Sequence, residues 1–316
     1  AKILQRLIRT SDWLPFLTLA FVGFSPLLMR NSLSIMADAP AVGLMLTAVW
    51  LGLRFEESGK MVHFLAAAFF AGFAVMLRYP VALAVFYPML YWIWIAIRRK
   101  FWWGLLFFLP CFAIAALPQL LLPKTVGEGL TQPFQHQHFL QWSFQNFFGT
   151  SFFQKDGYNS YPVFNLGAAL GLFWHPRNFG LGVLAVFGLV FYRKINFSFP
   201  KWWVLAAVAT NVLFLSGIPF QNPRFLLPIL PFVALLFGPV WVYAWDHLTF
   251  SPNARKLVFG VVLFVQCALC WWSCRLIFDV NAYEKQIAAT LLAIPDEGQR
   301  LYELSFEAML KARKVH

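Results

Sequence analysis

The stretch MVHFLAAAFFAGFAVMLRYPVALAVFYPMLYWIWIAIRRK, residues 61–100, holds two apolar runs, 61–78 and 80–97. Arg78-Tyr79-Pro80 separates them, and Arg98-Arg99-Lys100 closes the second. Each run reaches the roughly 17–25 residues that cross the hydrocarbon core of a bilayer. The proline two residues after Arg78 forces a corner. The segment therefore reads as a hairpin of membrane helices whose far end is basic.

Further apolar runs fall at about 13–29, 39–55, 101–122, 163–192, 203–220, 225–245 and 257–278. The chain is 60% hydrophobic and only 12% charged over 316 residues, with a mean hydropathy of +0.65. A water-soluble domain carries roughly 25% charge. The expected fold is an all-α polytopic membrane protein with about 9 membrane-crossing segments. Its 37 Phe and 14 Trp suit lipid-facing surfaces and interfacial belts.

The net charge of +12 does not point to nucleic acid. The cations sit in short clusters at the ends of apolar runs, not in a contiguous stripe able to neutralise phosphates. The clusters are Lys2/Arg6/Arg9, Arg54/Lys60, Arg98-Arg99-Lys100, Arg193/Lys194/Lys201 and Arg255/Lys256. Placing all five on the cytosolic side gives a consistent alternation if 163–192, interrupted by HPRNFG, crosses once. That parity puts 30–38, the Arg78-Tyr79-Pro80 corner, 123–162, FQNPRF at 220–225 and everything from Asp279 onward on the outer side. The opening AKILQRLIRTSDW lacks a cleavable signal pattern. Either the chain is processed, or an upstream part precedes Ala1.

Two domains are expected: a helical membrane domain over 1–278 and a small soluble α/β segment over 279–316, the start of an outer domain. Within the first, the loop 123–162 is rich in aromatics, Gln, Asn and His. A long loop of that composition is functional rather than a flexible tether, and a short amphipathic helix lying on the bilayer is expected in it.

Before residue 279 there are seven carboxylates, and Asp12, Glu56, Glu57 and Asp246 fall in cytosolic turns. Asp38, Glu128 and Asp156 fall outside, and Asp38 alone stands at the membrane boundary in the apolar stretch SLSIMADAPAVGLML. Asp followed two residues later by Pro fits a helix start, so capping is one reading. An acid at membrane depth is also a functional candidate by default.

Arg78 and Arg224 share that face and run against the positive-inside bias. They either snorkel to headgroups or meet a local anion, for which Asp38 or a phosphate would serve. Arg30 is a third candidate. Further candidate substrate contacts are His136, His138, Asp156 and Tyr158 in the long loop, with Gln221 and Asn222 beside Arg224. His136 and His138 lack the third ligand a metal needs, so no metal ligands are assigned. Cys111, Cys267, Cys270 and Cys274 lie within apolar runs, where thiols act as small hydrophobes. Gly72 and the small residues of 66–74 read as a helix-packing surface.

Four stretches, in order, resemble the GT-C superfamily of polytopic membrane glycosyltransferases, nearest the protein mannosyltransferase and aminoarabinose transferase branches. They are SLSIMADAPAVGLMLTAVWLGLRF, AVMLRYPVALAVFYPMLYW, FQNPRFLLPILPFVALL and AATLLAIPDEGQRLYELSF. The resemblance implies transfer of a sugar from a polyprenyl-phosphate donor to an acceptor on the outer membrane face. By it Asp38 is the second acid of the site, and Arg78 and Arg224 contact donor phosphate. It implies a bacterial inner membrane with the site on the periplasmic side. Some relatives hold a divalent metal at the diphosphate, and nothing here compels one. Partners are the lipid-linked donor, membrane lipids and, in one reading, subunits of a membrane complex. The family's earlier acid, in a first outer loop, has no counterpart in residues 1–12, so either an N-terminal portion is missing or the relative is degenerate. Two other readings stay open: a catalytically inactive scaffold subunit, and a transporter for a lipid or small anion.

Overall fold

A computed structural model describes residues 22–33, 37–121, 141–154, 157–180, 201–219, 222–235, 247, 249 and 251–293. The elements are α1 (Pro26–Leu33), α2 (Asp38–Ser58), α3 (Met61–Leu77), α4 (Val81–Arg98) and α5 (Trp102–Leu121). A 3-10 turn (Phe144–Phe147) and strands β1 (Ser151–Gln154) and β2 (Gly157–Ser160) follow. Then come α6 (Asn165–Trp174), α7 (Pro176–Phe179), α8 (Lys201–Gly217), a 3-10 segment (Pro223–Ile229) and α9 (Pro252–Ala293). Among the described residues three helices are long and apolar enough to cross a membrane: Asp38–Ser58, Val81–Arg98 and Lys256–Asp279. Met61–Leu77, Trp102–Ala115, Trp202–Gly217 and Pro223–Leu235 are shorter apolar helices. The architecture is helical, with the strand pair as its one described sheet, and it fits an integral membrane protein.

The hairpins turn where backbone chemistry requires. Gly59, at φ 65°, occupies the left-handed region that a Cβ disfavours, and its N–H closes α2 on the Phe55 carbonyl at 2.8 Å. α3 returns and ends at Arg78, whose extended backbone (φ −153°, ψ 109°) breaks the helix ahead of Tyr79-Pro80. Pro80 adopts helical angles and α4 starts at Val81. α4 closes in a Schellman motif: Lys100 takes φ 56°, its N–H meets the Ile97 carbonyl and the Phe101 N–H meets that of Ala96, both at 2.9 Å. One end of the bundle thus carries Asp38 and Arg78, and the other carries Ser58–Lys60 and Arg98–Lys100.

The core sits where α2, α3, α4 and α5 meet. Small residues let α3 approach both neighbours: Ala67, Ala68, Ala71 and Ala74 are fully buried, and a Cβ at Gly72 would fall on the Phe112 backbone carbonyl of α5. Phe55, Phe64 and Phe108 stack across α2, α3 and α5 with centroids 4.7 and 4.9 Å apart. Trp92 of α4 lies on Gly52 of α2, where any Cβ would collide with the indole.

α8 packs along α4, with Tyr91 near Trp202 (6.4 Å) and the Tyr87 hydroxyl 2.5 Å from that of Thr210. Gly217 therefore lies at the Asp38 end. There its carbonyl accepts the Ser143 N–H at 3.0 Å and the Asn146 side-chain amide at 2.7 Å. The fully buried Asn165 side chain donates to the Ser216 and Ile218 carbonyls at 2.8 and 2.6 Å. Asn165→Leu should orphan both carbonyls and cost about 2–3 kcal/mol, read as a lower unfolding temperature in detergent.

The described part of the long loop forms the 3-10 turn and the antiparallel pair Ser151↔Ser160 to Gln154↔Gly157. The expected interfacial helix is not among these residues, and 122–140 lie outside the described set. The 163–192 run holds a break: α6 ends at Trp174, His175 is extended and α7 begins at Pro176. α9 lies against α1 and runs parallel to it. Gln266 and Cys270 donate to the Phe24 carbonyl at 2.8 and 2.6 Å, and Ser273 donates to that of Arg177 at 3.2 Å. The helix passes through Asp279 unbroken to Ala293, so the expected boundary at 278/279 is not a break in secondary structure. The tail beyond Ala293 lies outside the described residues.

Candidate functional site

Asp38 is the first helical residue of α2, and its side chain makes no capping hydrogen bond. The capping reading is thus replaced by another. Both carboxylate oxygens accept from Arg78, Oδ1 from Nε at 2.5 Å and Oδ2 from Nη2 at 2.6 Å. The physical reason is energetic: Asp38 is 5% exposed, and a buried acid gains more from a bidentate guanidinium than from one backbone N–H. The Arg78 side chain keeps 25% of its surface open. A carboxylate offers about four lone-pair positions, so Asp38 can still accept from another group. Next to the pair, burial raises the pKa of the Tyr79 phenol and keeps it a neutral donor and acceptor.

The Pro223–Ile229 segment packs against α1, α2, α4 and α8, close to the same end. Asn222 caps it, its side-chain oxygen accepting the Arg224 N–H at 3.1 Å. Proline occupies the first helical position, where its missing N–H costs nothing. The Arg224 guanidinium carbon lies 5.7 Å from the Phe225 ring centroid. Leu226, Leu227 and Ile229 are fully buried, so the segment's first turn is fixed by its apolar side.

The same cap occurs a second time, at a residue not among the sequence candidates. His175-Pro176-Arg177 opens α7, with His175 Nδ1 accepting the Arg177 N–H at 3.2 Å. Arg177 then lies 4.1 Å over the Trp272 ring of α9. Arg30 on α1 is half-buried; burial lowers its pKa, Cys274 opposes that shift, and the charge of Arg177 adds to it. The recurrence of X-Pro-Arg in HPR and NPR was the available signal for Arg177.

Tyr158 lies on β2, paired in register with Phe153. His136, His138, Asp156 and Gln221 lie outside the described residues, as does Glu128. The structure thus brings Asp38 and Arg78 into contact. It sets Arg224 and Asn222 on a segment packed against α2, and Arg30 beside Arg177. Among the described residues no group of three or more His, Cys, Asp or Glu could hold a metal ion.

Comparison with known proteins adds one finding. Residues 170–290 match the Alg9-like mannosyltransferase family. The matched stretch runs from within α6 to within α9 and includes both X-Pro-Arg caps. It supports a glycosyltransferase activity and bears out the likeness to GT-C membrane glycosyltransferases. Asp38 and Arg78 lie before the matched stretch. No curated protein and no solved structure matches the chain.

Proposed function

We propose that the protein transfers a sugar from a polyprenyl-phosphate-linked donor to an acceptor at the outer face of the membrane. It does so from a bundle of about nine crossings in a bacterial inner membrane, with the site on the periplasmic side. The observation that carries this reading is the Asp38–Arg78 ion pair at one end of the bundle, with the Asn222-capped arginine segment packed beside it. The family match over 170–290 supplies the reaction class.

In this reading Asp38 accepts the proton of the acceptor hydroxyl or amine as that atom forms its bond to the anomeric carbon. The bond from that carbon to the phosphate oxygen breaks, and its electron pair leaves with the lipid phosphate. Guanidinium groups stabilise that departing charge; Arg224 is assigned to the donor phosphate, which it holds in the ground state as well as in the transition state, so its loss falls mainly on donor binding. Arg78 is a positioning residue: it uses two N–H groups to hold the carboxylate and keeps the Nη1 hydrogens for a phosphate oxygen. Arg224→Ala should raise the apparent KM for a polyprenyl-phosphate-linked sugar tenfold or more with a smaller change in kcat. An unaltered donor KM in reconstituted vesicles would remove Arg224 from the site.

A second reading has its own observation. Both oxygens of Asp38 are occupied, as in a clasp that only closes the α2–α3 hairpin. That suits a catalytically inactive scaffold subunit. Donor consumption by the wild-type chain in vesicles separates the two: the enzyme turns over and the scaffold does not.

A further inference from the structure

At the end of the bundle opposite Asp38, a groove of about 510 Å³ is lined by Leu90, Tyr91 and Trp94 of α4 and Trp202 of α8. That size falls within the ~300–1,000 Å³ of sites for small organic molecules. Its walls are aromatic and outward-facing: Trp94 and Trp202 are 46% and 50% exposed. Tyr91 is the exception, buried and donating its hydroxyl to Glu56 at 2.8 Å. In a bilayer an outward-facing apolar groove is filled by a hydrocarbon chain, and tryptophans mark the depth at which that chain meets its headgroup.

The charge at the rim says which headgroup. The Arg98 guanidinium carbon stands 4.0 Å over the Trp94 ring, and among the described residues it has no acidic partner. Arg99 is spent on the α2 terminus, donating to the Phe55 and Glu56 carbonyls at 3.1 and 2.5 Å. Lys100 is fixed in the Schellman turn next to it. The nearby acids are already engaged: Glu56 by Tyr91, and Glu57 by Arg54 at 3.6 Å. An exposed guanidinium stacked on an indole, beside two further cations, complements a phosphate whose headgroup adds no positive charge.

We propose that this groove binds one anionic glycerophospholipid, an acyl chain lying between Trp94 and Trp202 and the phosphate on Arg98. The site is separate from the sugar-transfer site and does not depend on that assignment.

The test is native mass spectrometry of the full chain in detergent with equimolar phosphatidylglycerol and phosphatidylcholine. Wild type should retain one phosphatidylglycerol in preference to phosphatidylcholine. Arg98→Gln should lower that preference about fivefold, and Arg98→Lys should restore part of it. Trp202→Ala, which leaves the cation in place, should lower retention of both lipids. Equal retention of the two lipids by wild type would overturn the proposal. So would undiminished phosphatidylglycerol retention by a folded Arg98→Gln chain or, should that chain fail to purify, by Trp202→Ala.

Discussion

Exchanging the partners, Asp38→Arg with Arg78→Asp, should restore folding lost in either single variant while leaving sugar transfer abolished. Each single change sets two like charges against each other at a site where neither is well hydrated. The carboxylate is almost fully buried and the guanidinium is a quarter exposed, so about 2–4 kcal/mol is expected for either, below the full penalty of a sealed pair. The double variant re-forms the ion pair with its ends reversed. It then gives up a smaller amount, because a cation replaces an anion at the N-terminus of α2. Turnover behaves differently: a base moved to the α3–α4 corner no longer reaches the acceptor from α2, so activity should stay down by at least about 10²-fold. The gentler Asp38→Asn change keeps the shape and one acceptor for Arg78 and should lose turnover to a similar degree with less loss of stability. If the exchanged chain recovers both folding and turnover, Asp38 is a clasp and not the base; a wild-type chain that folds but consumes no donor is the result that favours the scaffold reading. Thermal unfolding in detergent and donor consumption in vesicles are the two measurements.

Gly72→Val should be the most destabilising single change in the α3 interface, about 3 kcal/mol. Its Cβ meets the Phe112 carbonyl, an atom of a neighbouring helix backbone that cannot rotate aside. α3 and α5 would have to separate, and with them the Phe55–Phe64–Phe108 stack. Gly43 supplies the control, since nothing lies within 4 Å of a Cβ placed there. Gly43→Ala should be neutral or stabilising by a few tenths of a kcal/mol, from helix propensity. The comparison is read by size-exclusion profile and unfolding temperature. Equal behaviour of the two variants would mean that α3 and α5 are not held at backbone contact.

How much could be read from the chain depended on the range of the determining interaction. α2, α3 and α4 were legible because apolar length and the Arg-Tyr-Pro corner are local signals, and the helices begin and end within a few residues of the expected positions. The ion pair was legible only as a shared face. Its partners are 40 residues apart in sequence, and Asp-x-Pro gives an equally good local account as a cap. The break at His175 was visible as an interruption of 163–192, but Arg177 was passed over, because its partner Trp272 is supplied by the last helix. The change of composition at Asp279 suggested a boundary. No Gly or Pro falls between Val261 and Ala293 to end the helix, and charge alone does not stop one.

That uninterrupted helix has a mechanical consequence. Forty-two residues rise about 63 Å at 1.5 Å per residue, twice the ~30 Å of a hydrocarbon core. Because α9 ascends alongside α1, the excess stands proud at the Asp38 end, with about 21 Å between Asp279 and Ala293. Such a mast holds its tip at a set height and compass bearing over the bundle. One residue inserted anywhere in 280–293 would swing that tip by about 100° and raise it by about 1.5 Å.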